Sequence, residues 1–323
     1  MRTSPRILST AIVGSALAVV AGVTVTDSGA TTPGANGRIV FSEELSTGFQ
    51  MFTIRPDGTG KAPFGALPGD TVHPDWSPDG SKVVFELGHP EEEGPPFCSV
   101  MIMSVDGSGL TDLTGMRTGC EGQPAFTPDG QRIVFVRFDE QAEIESIQSM
   151  DLTGGDRRLV TQKEGTGSTD PNVSPDGRWI TFVRIREEGV RQALYAVRPN
   201  GSGLHRLTPF KWGVAIKHDW SPSGKRIVLT TNADFARPEK SANLVTIRPD
   251  GSSVKRLTRF TGGEHARNAF AGSYSPDGTR IAFRLERRDK AALATIKPNG
   301  RDMRRLTTFS KTKPRYIDWG TAP

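Results

Sequence analysis

Cysteine is nearly absent from the 323 residues: Cys98 and Cys120 are the only two. Neither belongs to a CxxC pair or a Cys/His cluster, which excludes a zinc ribbon or finger. Histidine is almost as scarce, with five copies. No GxSxG occurs, so the nucleophile elbow of serine hydrolases is missing. HExxH, GxGxxG and GxxxxGK[ST] are missing as well, which removes zincin, dinucleotide and P-loop chemistry. A superficial calcium loop, "DPNVSPDG" from Asp170, has Pro175 at its sixth position and Thr181 at its twelfth, and fails as an EF-hand.

Only one long apolar run is present. "ILSTAIVGSALAVVAGVTV" follows the basic start "MRTSPR", and "SGA" ends at Ala30 as a small-residue cleavage pattern. Residues 1–30 therefore read as a signal peptide. No Cys follows the run, so a lipid anchor is not expected. Arg2 and Arg6 are not adjacent, so a twin-arginine signal is not either. An uncleaved anchor is the alternative, because 19 largely apolar residues can span a bilayer. Both readings place the remainder outside the cytoplasm. The net charge of +5 falls to +4 without residues 1–30, and the basic residues read as scattered. A nucleic-acid partner is not expected from that pattern.

The composition, with 36 Gly, 23 Pro and 24% charged residues, suits many short strands joined by tight turns. Two turn signatures alternate. One is Ser/Thr-Pro-Asp/Ser-Gly at Ser77–Gly80, Thr127–Gly130, Ser174–Gly177, Ser221–Gly224 and Ser275–Gly278. The other ends at Gly58, Gly107, Gly154, Gly201, Gly251 and Gly300. Pro presets φ, Asp bonds to nearby backbone and Gly accepts a left-handed conformation. The period of about 50 residues is that of a propeller. Apolar pairs two apart follow the first turn, as in Ile39/Phe41, Val83/Phe85, Ile133/Phe135, Ile180/Phe182, Ile227/Leu229 and Ile281/Phe283. Period-two alternation means strands.

Each unit thus predicts four strands, A to D, with A ending at the Ser/Thr-Pro turn. The chain begins on a B strand, "GRIVF", and ends on an unpaired A strand, "RYIDWG". Pairing of the last with the first closes a ring and leaves no edge around it. The expectation is an all-β, six-bladed β-propeller of four-stranded blades. It occupies residues 37–320, after a linker at 31–36 and before a tail at 321–323.

"PDWSPDGSKVVF" and "LYAVRPNGSGLHRLT", with their copies, resemble the PD40 repeats of TolB-type six-bladed propellers over essentially all of residues 37–320. The resemblance implies the fold and a binding habit. Full TolB proteins carry an α/β domain ahead of the propeller. Here the first blade begins within a few residues of the leader, so no Tol–Pal role is implied.

The A–B and C–D turns are uniformly tight, whereas B–C and D–A connections vary. "LGHPEEEGPPF" (87–97), "TNADFARPEKS" (231–241) and "TRFTGGEHARNAFAG" (258–272) mark the latter as the working face. Its candidate residues are Glu91, Glu92, Glu93, His265 and Arg267. The channel mouth lies there, lined by the starts of the A strands. Four residues before each turn stand His73, Gln123, Asp170, Lys217 and Ala271, with Tyr316 equivalent; two before stand Asp75, Ala125, Asn172, Asp219 and Ser273, with Asp318 equivalent. This ring suits a polar ligand or a cation such as calcium, or else its Asp side chains bond to backbone in neighbouring blades, which is the stronger reading. His73, His218 and His265 fall in different registers and do not converge as a metal site, so no cofactor is expected. Cys98 and Cys120 both fall on the loop face of one blade and predict a disulfide.

These features point to an exported, monomeric, non-enzymatic module that binds a protein or a cell-envelope component. The alternatives are a channel-sited enzyme of polysaccharide-lyase type and a sensor domain on an uncleaved anchor.

Overall fold

In each Ser/Thr-Pro turn the first hydroxyl accepts a hydrogen bond from a backbone N–H five residues on. At Ser77 this bond comes from Lys82 at 2.8 Å, while the hydroxyl donates to Asp79 at 2.6 Å and Gly80 N–H donates to Ser77 O at 2.9 Å. The turn thereby delivers the chain into strand B in a fixed register. The computed structural model describes residues 32–323 except 66, 68, 90–96, 116–118, 140–143, 163–166, 187–190, 233–239 and 264–265. The expected leader, Glu91, Glu92, Glu93 and His265 lie outside the described residues.

The strands are β1 (Asn36–Leu45), β2 (Gly48–Ile54), β3 (Ala62–Pro63), β4 (Asp70–Trp76), β5 (Lys82–His89), β6 (Phe97–Ser104), β7 (Thr111–Asp112), β8 (Cys120–Phe126), β9 (Arg132–Asp139), β10 (Ile144–Asp151), β11 (Arg158–Gln162) and β12 (Gly167–Val173). They continue as β13 (Ile180–Arg186), β14 (Arg191–Val197), β15 (His205–Arg206), β16 (His218–Trp220), β17 (Ile227–Thr231), β18 (Asn243–Ile247), β19 (Lys255–Arg256), β20 (Arg267–Tyr274), β21 (Ile281–Arg287), β22 (Lys290–Ile296), β23 (Arg304–Arg305) and β24 (Pro314–Thr321). One 3-10 turn, Phe210–Trp212, is the only helix among the described residues. No described helix is long and apolar enough to cross a membrane.

The fold is an all-β propeller. Its innermost strands β4, β8, β12, β16, β20 and β24 touch in that order, and β24 also touches β4. The C-terminal β24 pairs antiparallel with the N-terminal β1, for example Trp319 with Ile39. The hydrogen-bonded sheets differ from the expected six of four strands. Four sheets have four strands, and β4 to β11 form one sheet of eight. The join is a single parallel pair, Cys98 of β6 with Cys120 of β8, where the disulfide holds the two Cα atoms 4.6 Å apart.

The apolar pairs of strand B pack between neighbouring sheets. Ile39, Phe41, Val83, Phe85, Ile133, Phe135, Phe182, Ile227, Leu229, Ile281 and Phe283 are wholly buried. Successive four-strand repeats also meet through backbone. A Cβ on Gly154, Gly201, Gly251 or Gly300 would lie 1.9–2.9 Å from the carbonyl oxygen of Leu113, Val160, Leu207 or Leu257, in or just after the preceding outer strand. Gly58 stands in the same relation to Leu306 O, at 2.7 Å, so the last outer strand meets the first sheet. All five glycines have φ between 80° and 87°, so glycine is required there for both conformation and space.

The disulfide closes a 22-residue separation and ties the start of β6 to the start of β8. Replacing both cysteines by Ser is expected to lower stability by roughly 3 kcal/mol. Chemical denaturation of oxidised wild type and variant measures this. Equal midpoints would show that the bond constrains nothing.

Candidate functional site

The A strands are not regular. Register shifts interrupt β4 between Val72 and Asp75, β8 between Gly122 and Ala125, and β12 between Thr169 and Asn172. A bulge takes up one extra residue and re-aims a side chain. The extra residues are His73, Gln123 and Asp170, each left-handed with φ of 51–52°, and Tyr316 of β24 repeats the conformation. A non-glycine residue held this way costs about 1 kcal/mol. The following Pro74, Pro124 and Pro171 disfavour the right-handed alternative. Lys217, just ahead of β16, and Ala271 of β20 occupy the same ring position without a positive φ.

These side chains form a belt from blade to blade. The rings of Tyr316 and His73 lie 3.8 Å apart, and His73 Nδ1 is 3.0 Å from Glu86 Oε2. The same Glu86 oxygen accepts the Gln123 N–H at 3.0 Å. Gln123 Oε1 accepts the Asp170 N–H at 2.6 Å and the Thr169 hydroxyl. Asp170 accepts the His218 N–H at 3.3 Å and lies 3.9 Å from Lys217 Nζ. Glu86 comes from β5 rather than an A strand, so the A-strand register did not find it. The signal was a carboxylate inside the apolar run "VVFEL". Arg284 in "IAFRL" is its counterpart; it packs 4.1 Å from the Phe270 ring and 3.1 Å from Glu286.

The second layer clamps neighbouring blades. Asp318 accepts the Trp76 N–H at 2.9 Å, Asp75 the Phe126 N–H at 2.8 Å, and Asp219 the Tyr274 N–H at 2.7 Å with the Ser273 hydroxyl at 3.2 Å. Asn172 donates to Asp219 at 3.3 Å and to His218 O at 3.4 Å. The backbone-bonding role of the Asp side chains is therefore present in all three.

The charges are unequal. Burial pushes the Asp75 carboxyl well above the ordinary carboxylate range, and the nearby Asp318 pushes it further. Burial raises Asp318 as well, against the pull of Lys217. Burial opposes ionisation of Glu86 and Asp170 too. There the opposing groups win, His73 and the Gln123 N–H at Glu86, and Lys217 with His218 at Asp170, so both carboxyls sit below their ordinary values. Burial depresses the Lys217 ammonium, but Asp170, Asp318, Asp75 and Asp219 outweigh it and hold its pKa above the usual lysine value. One ammonium just ahead of β16 thus serves carboxylates carried by four of the innermost strands.

A carboxyl with a raised native pKa binds its proton more readily folded than unfolded. Stability then rises as pH falls from that native pKa toward the ordinary range, and Glu86 and Asp170 reverse the trend below it. The melting temperature is expected to climb from pH 7 to about 5 and to drop below about pH 4. Asp75→Asn, which keeps an acceptor for the Phe126 N–H, should flatten the climb. An unchanged profile in scanning calorimetry would refute the assignment.

Among the described residues, no histidine joins a cluster of metal-ligating side chains. His218 is wholly buried and its Nε2 lies 2.9 Å from the Thr181 hydroxyl. Glu86, Cys98 and Cys120 are the one ligand-type group within reach of a common ion among the described residues, and both sulfurs are in the disulfide. That proximity ties the disulfide to the channel rim. Arg267 is exposed at the start of β20 on the B–C/D–A face. On the opposite face, clefts of about 380 and 350 Å³ open between successive Ser/Thr-Pro turns, around Pro128 and Pro175 and around Pro175 and Pro222.

Residues 98–320 match a family described as the PD40, TolB beta propeller domain. No curated protein matches the chain. Among solved structures, TolB from Acinetobacter baumannii is 20% identical with a TM-score of 0.69, the match covering 88% of this chain and 67% of that one. A puromycin-hydrolyzing peptidase of Mycobacterium tuberculosis is 14% identical (TM-score 0.56; 84% and 45% covered). An oligogalacturonate lyase from Vibrio parahaemolyticus is also 14% identical (TM-score 0.50; 73% and 68% covered). At these identities the likeness is one of fold.

Proposed function

The chain belongs to the TolB beta propeller family, and from that premise we propose that it is an exported, non-enzymatic binding module. It recognises a protein or a cell-envelope component through the B–C/D–A face and the mouth of its channel. The observation that carries this reading is the belt from Tyr316 to Lys217. Its polar groups meet one another across blade boundaries, which suits a rigid rim for recognition, and among the described belt residues no nucleophile is paired with a base. The fold itself carries no activity, since its neighbours include a TolB, a peptidase and a lyase.

The propeller is read as six-bladed. Only one residue pair joins the two halves of the eight-stranded sheet, and each half supplies its own innermost strand to the ring. Export rests on the apolar run at residues 7–25 and the small-residue pattern that ends at Ala30. N-terminal sequencing of the protein from culture medium or envelope is expected to begin after Ala30. An intact leader in the membrane fraction would favour the anchored sensor. Metal analysis of the purified protein should find no stoichiometric divalent ion, and finding one would favour the lyase.

A further inference from the structure

Along the chain the basic residues look scattered, yet by position in the ring they are segregated. Residues 31–166 contain 10 Lys and Arg against 21 Asp and Glu, whereas residues 167–323 contain 29 against 14. The turns do not impose this division. Asn200 and Asn299 accept hydrogen bonds from Ser202 N and Arg301 N at 3.1 and 2.9 Å. Asp57 and Asp106 accept the equivalent bonds at 2.8 and 2.9 Å. Turn geometry is served by either side chain, so charge at these turns is free to vary.

The basic excess has a repeated form. "RLTPF" (206–210), "RLTRF" (256–260) and "RLTTF" (305–309) occur in the last three four-stranded sheets and nowhere before them. In each, the Thr hydroxyl accepts the N–H of Leu194, Leu244 or Leu293 at 2.9–3.0 Å, which pins the segment to the sheet. The Arg ends the outermost strand and is exposed. Arg206 lies 5.3 Å from the Phe210 ring and Arg305 5.0 Å from the Phe309 ring. Arg256 instead borders a cavity of about 160 Å³ with Trp212, Asn232 and Asn243. Lys255 and Arg304 stand beside these arginines on β19 and β23.

We propose that this outer wall, carried by β15, β19 and β23, binds a linear polysaccharide bearing carboxylate groups. A guanidinium braced on a phenyl ring keeps its edge donors in place for a carboxylate fork and loses less freedom on binding. The strands are two residues long, too short to template an added peptide strand, so recognition runs through side chains. They lie on successive sheets around a ring and face outward in different directions. A flexible chain can follow them, whereas a flat bilayer meets them one at a time. Trp212 and Asn232 beside Arg256 offer an aromatic face and an amide for a sugar ring, while Asn243 is held by Ser241, Thr258 and Phe260, and this pairing favours a polysaccharide over other polyanions. The export proposed above would bring the chain to where such polymers occur, but binding is read in vitro and stands or falls independently of export.

The test is titration of fluorescent alginate with the chain from residue 31 onward, followed by anisotropy across a salt series, with R206Q/R256Q/R305Q as the variant. Binding should weaken steeply with salt. The variant should lose about a hundredfold in affinity at low salt and show a slope lower by about two, with an unchanged melting temperature. Absence of binding at low salt, or equal binding by the variant, would overturn the proposal. So would equal binding of neutral dextran, or a preference for single-stranded RNA or phosphatidylglycerol vesicles over alginate.

Discussion

Removing residues 314–323 is expected to abolish cooperative unfolding. The deletion takes away β24, whose Ile317 and Trp319 complete the core between the last sheet and the first with Ile39, Phe41, Ile54, Ala282 and Leu293. Burial of those two side chains alone stabilises the fold by about 5 kcal/mol. Asp318 also goes, and with it the acceptor for the Trp76 N–H. Gly320 lies so close to Trp76 that a Cβ there would be 2.4 Å from the indole, and its loss exposes that ring. The bare β1 then presents a ten-residue edge. Calorimetry and light scattering should report aggregation or a broad, non-two-state transition. A second variant separates loss of closure from loss of sequence. Thr321 pairs with Asn36, so moving residues 312–321 ahead of residue 36 through a short turn rebuilds β24 as a hairpin with β1. This permutant should melt cooperatively. A truncated protein that melts like the intact one would contradict ring closure.

Lys217→Met is expected to lower stability by about 3–5 kcal/mol, or roughly 10 °C in melting temperature at pH 7. The lysine is only 17% exposed, and its ammonium answers Asp75, Asp170, Asp219 and Asp318. Without it these carboxylates repel one another in a low-dielectric channel, and breaking a buried charge cluster by removing one partner is strongly destabilising. The deficit should shrink on acidification to about pH 5, because Asp75 and Asp318 already resist ionisation and take protons first. Asp75→Asn in the same background should recover part of the loss at pH 7. A variant as stable as wild type, or a loss that does not depend on pH, would show that Lys217 does not hold the cluster.

Much of this architecture was legible in the repeats, because turn chemistry and period-two burial are local. Ile39, Val83, Ile133, Ile227 and Ile281 fall where alternation puts them, and counting back from each turn finds His73, Gln123, Asp170 and Tyr316. The count succeeds because the bulge recurs at the same offset, a regularity that alternation alone does not reveal. Other features depend on which residues meet across the ring. Glu86 entered the belt from a B strand, and Lys217 became a shared counter-ion for carboxylates far apart in sequence. His218, three residues before its turn and out of register with His73, is a core residue bonded to Thr181. The merged sheet from β4 to β11 arises from the one pair Cys98–Cys120, which predicted a bond but not a continuous ladder. The segregation of charge escaped a reading along the chain because each repeat taken alone looks mixed.

The most direct test of the binding account is photo-crosslinking from two faces of the intact protein in its native cells. One crosslinking residue replaces Arg267, exposed on the B–C/D–A face, and another replaces Asp129, in the turn of the opposite face. The account predicts a discrete adduct from position 267 and none from position 129. An adduct from position 129 alone would contradict it and move recognition to the clefts between the Ser/Thr-Pro turns.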